Sequence, residues 1–407
     1  MPARRTRANL SRLVAMLVPL GAVPAVAQPA SEPTLVHPVQ LTFPERFARA
    51  GEAYFDPTAN WIIFQAIERP APGQAPSEHY AMYVAKLTRD SAGNVTGLDE
   101  PVQISAPGSA NTCGWFHPSR VGHVLWGSTT TPPVEDDAPG YQRGTGRYRW
   151  QFPREMEVVQ YTVPAIYQQV KSPRLMPDFA PPTPLWTHDG YDAEASWSKD
   201  GRYVLYTRVE GDDPDIWLYD ETTGTHTPLI VAKGYDGGPF FSPDGNWICY
   251  RSDREGNSLL QLYVAELARD ASGAITGVKR EVQLTQNEHV NWAPFWDPQG
   301  GGLVYATSEI GHDNYEIFLI EFTPAMADRA PDGLRRARIT NAPGFDGLPA
   351  FSPDGSLLMW TSQRGAKLPD EQRPSSQLWI ARWDSTPLAQ TDSTIEEAPS
   401  ATHEVAP

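Results

Sequence analysis

Two twelve-residue stretches decide the architecture: "GYDGGPFFSPDG", from Gly234 to Gly245, and "GFDGLPAFSPDG", from Gly344 to Gly355, nearly identical at a separation of 110 residues. Halfway between them stands "NWAPFWDPQG", Asn291 to Gly300, a degenerate copy that divides the gap into two steps of 55. The aromatic of the motif also occurs at Phe55, Phe116 and Trp197, ahead of Phe241, Trp296 and Phe351, so six copies follow one another at steps of 61, 81, 44, 55 and 55 residues. Steps of this size with uneven loops mark a stacked repeat, and a four-stranded propeller blade takes about 40–45 residues before insertions.

Each copy has the same interior. A short strand ends in the aromatic, and a Pro-Asp-Gly-like turn supplies the positive φ of a tight hairpin. An unbroken apolar run follows, as in "NWIIFQ", "RYVLYT", "NWICYR" and "SLLMWT", the composition of a strand covered on both faces. Third strands come next ("DIWLYD", "YEIFLIEF", "SQLWIARW"), and "PVQIS" (101–105), "EVQLT" (281–285) and "RARIT" (336–340) supply fourth strands. The last copy has none, but "PVQLT" at 38–42 precedes the first copy. The expectation is an all-β, six-bladed β-propeller of four-stranded antiparallel blades, closed by an N-terminal strand that completes the last blade and removes an open edge. A second duplication, "LTRDSAGNVTGLDEPVQIS" from Leu87 and "LARDASGAITGVKREVQLT" from Leu267, reads as a surface hairpin between third and fourth strands in blades 1 and 4.

The chain has 407 residues, 40% of them hydrophobic, with 40 prolines and 32 glycines, which suits one large all-β domain and leaves little room for long helices. Residues 1–27 read as a signal peptide: Arg4, Arg5, Arg7 and Arg12 precede an apolar run from Leu13 to Val26 and an Ala-Val-Ala cleavage pattern. Residues 28–383 then form the propeller, and a polar tail over 384–407 is expected to be disordered. A periplasmic or secreted monomer is the expected product. No later segment has the roughly 20 apolar residues of a membrane span. Cys113 and Cys249 fall at different places in the repeat and read as buried thiols. The formal charge of −16 disfavours nucleic acid and anionic membranes as partners.

"FSPDG" followed by an apolar strand and "YRSDREGN" resembles the WD40-like repeat of TolB-type periplasmic propellers, over about residues 35–383. That resemblance implies the fold, and it brings in a group that also includes propeller domains of prolyl-oligopeptidase-type peptidases and oligogalacturonate lyases. The α/β domain that the Tol-Pal translocation protein carries before its propeller is not expected here, because few residues separate Gln28 from the first strand. A serine hydrolase is not expected either, since no G-x-S-x-G elbow occurs.

Five residues before each motif aromatic stand Ala50, Asn111, Asp192, Asp236, Asn291 and Asp346. Short oxygen-bearing side chains repeated around a channel mouth suit a divalent cation or a cationic ligand group. The same residues also suit Asx-turns closed on their own backbone. Departures from the repeat are more informative, because a repeat copies its scaffold residues and varies its ligand residues. Glu52, Glu194, Glu288 and His289 lie beside the ring, with His188 on the crossing into blade 3, and the two histidines are candidate metal ligands. The long blade-2 insertion carries Arg143, Arg147 and Arg149 among aromatics and suits carboxylate or saccharide ligands, or else is a solvated insertion. The leading reading is an exported, non-catalytic propeller binding a protein, peptide or envelope polymer across its crossing-loop face. The alternative is a metal-assisted carbohydrate-active enzyme resembling oligogalacturonate lyase, a family whose propeller is expected to have seven blades rather than six.

Overall fold

The structure is a computed structural model that describes residues 31–134, 153–167, 181–211 and 213–390. The leader at 1–27, the insertion with Arg143, Arg147 and Arg149, and the tail beyond 390 lie outside the described residues. Six antiparallel sheets are present. Their innermost strands are Phe47–Phe55, Asn111–Phe116, Asp192–Trp197, Asp236–Phe241, Asn291–Trp296 and Asp346–Phe351, which open blades 1 to 6 in order. The second strands, such as Trp247–Ser252 and Leu357–Ser362, are buried along their whole length, as strands covered on both faces must be.

The repeated motif folds the same way wherever it is complete. In blade 4 the Ser242 hydroxyl donates to Asp244 Oδ1 at 2.6 Å and accepts from the Trp247 N–H at 2.9 Å, while Gly245 takes φ 70°. Ser352, Asp354, Leu357 and Gly355 repeat this in blade 6, and Ser198, Asp200, Tyr203 and Gly201 in blade 3. The motif is copied because serine, aspartate and glycine each satisfy one requirement of the turn: a hydroxyl for an inward N–H, a carboxylate for the turn, and freedom at positive φ.

Fourth strands show a second copied device. The hydroxyls of Ser105, Thr285 and Thr340 accept from the N–H of Met82, Leu262 and Ile317 at the start of the third strand, at 2.8–2.9 Å. Thr42 does the same for Leu378, at 2.8 Å, although 336 residues separate them. The strand Leu35–Gln40 pairs with Gln377–Trp383 as the outermost strand of blade 6, so the ring is closed as expected. A bulge with His37 at φ 54° ahead of Pro38 interrupts that outer strand, a feature that blunts a sheet edge against further pairing. Glu32 ties the closure to the blade interior by accepting from both Arg364 nitrogens at 2.7 and 3.0 Å, and Arg364 reaches Asp346 at 2.9 Å.

A short helix follows Gln377–Trp383, over Thr386–Gln390, with Leu388 packed on the blade-6 core beside Leu35 and Ile339. The duplicated connections are hairpins: Ile275–Gln283 is a continuous fourth strand in blade 4, whereas blade 1 divides it into Val95–Leu98 and Val102–Gln103 around Pro101. Both cysteines are free, with Cys249 buried and Cys113 half-buried.

Candidate functional site

Every innermost strand carries a bulge, and numbering its last six residues from the ring position exposes three layers around the axis. The first position is the Asp/Asn ring. The third is Glu52, Cys113, Glu194, Gly238, Ala293 and Leu348, all at positive φ between 43° and 60°. The fifth is Tyr54, Trp115, Ser196, Phe240, Phe295 and Ala350.

The fifth-position aromatics close the axis. The rings of Tyr54, Trp115, Phe240 and Phe295 all touch one another, with centroids 4.9–6.1 Å apart. Small residues at Ser196 and Ala350 leave room for four large rings where six would not fit. What was expected as a channel is therefore a one-ended cavity of about 820 Å³, opening among the crossings. Rim segments come from the second-to-third connections of blades 1 and 6, including Glu78, His79, Tyr80, Gln372 and Arg373. Met156, at the described end of the blade-2 insertion, also lines it.

The third position forms the floor, and it is chemically divided. Glu194 is fully engaged: it accepts from Tyr235 Oη at 2.7 Å, the Gly238 N–H at 2.6 Å, Thr207 Oγ1 at 3.0 Å and Arg251 Nη2 at 3.2 Å. Gly238 is required beside it, because a Cβ there would collide with the Arg251 guanidinium. Glu52 is different. Its Oε1 accepts from Cys113 Sγ at 3.0 Å and Tyr54 Oη at 3.2 Å, and no cation among the described residues forms an ion pair with it. Burial beneath the cavity raises its pKa above the ordinary carboxyl value, opposed by the Cys113 hydrogen bond and the Arg251 charge. Burial also holds the Cys113 thiol and Tyr54 hydroxyl well above their ordinary values, so both stay protonated donors. Ala293 and Leu348, with Trp292, Phe345 and Pro349, form a largely apolar part of the lining.

The ring expected at the mouth is placed elsewhere. Asp192, Asp236, Asn291 and Asp346 are at most 1% exposed and point into the blades. Asp192 takes a two-pronged bond from Arg208 at 2.8–2.9 Å. Asp236 meets Arg254 at 3.2 Å, and Asp346 meets Trp360 Nε1 at 3.0 Å and Arg364. Asn291 Nδ2 donates to Gln261, Asn287 and the His289 carbonyl, and Asn111 accepts from Trp126 and Ser128 while donating to the Tyr80 carbonyl. These side chains fasten crossings to neighbouring strands and turns, Asn291 to Gln261 of a third strand and the aspartates to arginines of second strands or the turns after them. Of the ring-region candidates, Glu52, Asn111 and Glu194 line the cavity.

His188 and His289 lie on the crossings into blades 3 and 5, and His188 is 3.7 Å from Asp192, whose carboxylate Arg208 already holds. Among the described residues no group of three or more His, Cys, Asp or Glu side chains is arranged to hold a metal. Glu288 is exposed.

Fold and cavity together define a six-bladed β-propeller with a one-ended axial pocket. No family model matches the chain, and no curated protein matches it. Among solved structures it is similar to a putative TolB from Agrobacterium tumefaciens, at 13% identity and TM-score 0.48, covering 82% of this chain and 90% of that one. TolB from Acinetobacter baumannii aligns at 13% identity and TM-score 0.46, covering 83% of this chain and 63% of that one. Dipeptidyl peptidase 4 from Porphyromonas gingivalis aligns at 12% identity and TM-score 0.37, covering 76% and 48%. Among the described residues no helix is long and apolar enough to cross a membrane.

Proposed function

We propose that the protein is an exported, non-catalytic binding propeller that receives a segment of a protein, peptide or envelope polymer at its crossing-loop face. The observation that carries this reading is the one-ended cavity on that face, within the roughly 300–1,000 Å³ typical of ligand pockets, lined by a few polar groups and an apolar wall. The opposite face carries the copied Pro-Asp-Gly turns, whose serine and aspartate side chains are engaged within the turns, and a smaller cavity of about 300 Å³ beside Lys199 and Arg269. A rigid ring with variable loops at one end is the arrangement that serves recognition without chemistry.

A photo-reactive residue placed at position 78 or 373 on the rim, or at position 199 on the opposite face, tests this in envelope extract. Discrete crosslinked species are expected from 78 and 373 and none from 199. Crosslinking from 199 alone, or from none of the three, would overturn the reading.

A further inference from the structure

A repeat that holds its backbone constant while varying one side chain exposes the position released from structural duty. The third position of the innermost strand is such a place: six residues share positive φ, yet they are Glu, Cys, Glu, Gly, Ala and Leu. For a glutamate this backbone region is sparsely populated and costs stability. Glu194 regains that cost through four partners, one of them the ion-paired Arg251. Glu52 gains only a thiol and a phenol on one oxygen, and no described residue donates to its Oε2.

A second, independent observation lies in the same cavity wall. Gln65, 9% exposed, lines the cavity, and its buried Oε1 accepts no hydrogen bond. Buried carbonyl oxygens are almost always paired, and an unpaired one beside a cavity leaves an acceptor for a water or for a donor that enters it. Two acceptors, a carboxyl and an amide oxygen, line the same pocket as Trp292, Phe345 and Leu348. One carboxylate and one amide oxygen are far fewer than the six to eight oxygens a calcium ion takes. An ammonium group, with three donors and one charge, matches them.

We propose that the cavity binds a ligand bearing a primary ammonium on an apolar body, the ammonium held by Glu52 and Gln65 and the apolar part laid against Trp292, Phe345 and Leu348. This rests on the binding role proposed for the same face and specifies what enters it. The ammonium comes from the first residue of a peptide, a lysine side chain or a small amine, and all three share the chemistry. The overall charge of −16 favours approach of such a cation.

The test is calorimetry on the full chain with phenethylammonium, and with 2-phenylethanol as its uncharged counterpart. Saturable 1:1 binding of phenethylammonium is expected, with 2-phenylethanol weaker by about tenfold or more, corresponding to about 1.4 kcal/mol. Glu52→Gln is expected to lose about tenfold or more, Gln65→Leu several-fold, and the opposite-face variant Lys199→Gln nothing. Should Glu52→Gln melt early, Gln65→Leu carries the test alone. Equal binding of the alcohol, no binding of phenethylammonium, or unchanged binding in both variants overturns the proposal. A short peptide with a free N-terminus, and its N-acetylated form with one lysine, are expected to bind in place of the amine. Equal binding of an acetylated, lysine-free peptide would overturn it. Crosslinking that persists from residues 78 and 373 while the amine shows no binding would leave the face assignment standing and remove the ammonium.

Discussion

Glu52 and Glu194 occupy the same place in two blades, and their surroundings give them opposite roles. Glu194 is a strut whose charge Arg251 balances, whereas Glu52 is an acid under a cavity with Arg251, Glu194, Cys113 and Tyr54 around it. Because burial raises the Glu52 pKa, the folded chain holds that proton more tightly than the unfolded chain, whose glutamates titrate near about 4.3. Its stabilising contribution is therefore full below that value and is lost as pH rises through the raised one. Glu52→Gln, which mimics the protonated form, is expected to melt with the wild type at pH 4 and above it at pH 8. A variant that melts below the wild type at pH 8 would mean that the fold favours the carboxylate. A residue whose removal stabilises the protein at neutral pH is one retained for something other than stability.

At the scale of the strand, the copied hydroxyl at the end of each PVQ-type segment is the clearest link between sequence and structure. Thr285→Val keeps the shape and removes the acceptor for the buried Leu262 N–H, and is expected to cost about 1–3 kcal/mol in denaturant unfolding. A cost near zero would show that another acceptor or water replaces it. Such devices are legible in the sequence because they recur: Ser105, Thr285, Thr340 and Thr42 announce four outer strands, and the Ser-Pro-Asp-Gly turns announce the hairpins. The Asp/Asn ring is legible for the same reason, and that is why it turned out to be scaffold. Its location was not legible, since Arg208, Arg254 and Arg364 reach it from second strands and following turns 16 or 18 residues on, beyond the range of the motif itself. The cavity floor and the aromatic plug lie two and four residues farther along the same strands. They vary from blade to blade, and period-2 reasoning fails across the bulge that turns both layers toward the axis.

At the scale of the molecule, the closure of blade 6 joins the ring. The first strand contributes the buried Leu35 and Leu41, the hydroxyl for Leu378 and the Glu32 clasp on Arg364. Deleting residues 33–43 exposes the edge of Gln377–Trp383 and removes the strand that positions Glu32 beside Arg364, which keeps Asp346 and Ser362. The melting temperature is expected to fall by about 10 °C or more, each kcal/mol being worth about 2–4 °C in a domain of this size or somewhat smaller. An unchanged melting curve would show that the five other blades hold the ring without it.

That clasp also orders events in time. The segment made first during synthesis is the last to find its partner, because Gln377–Trp383 emerges more than 330 residues later. Until then Leu35 and Leu41 have no sheet to enter, and blade 6 cannot have its full complement of strands. The circle can therefore close only after translation has passed the sixth blade, and a chain stalled before Gln377 would be an open arc with a bare edge at each end.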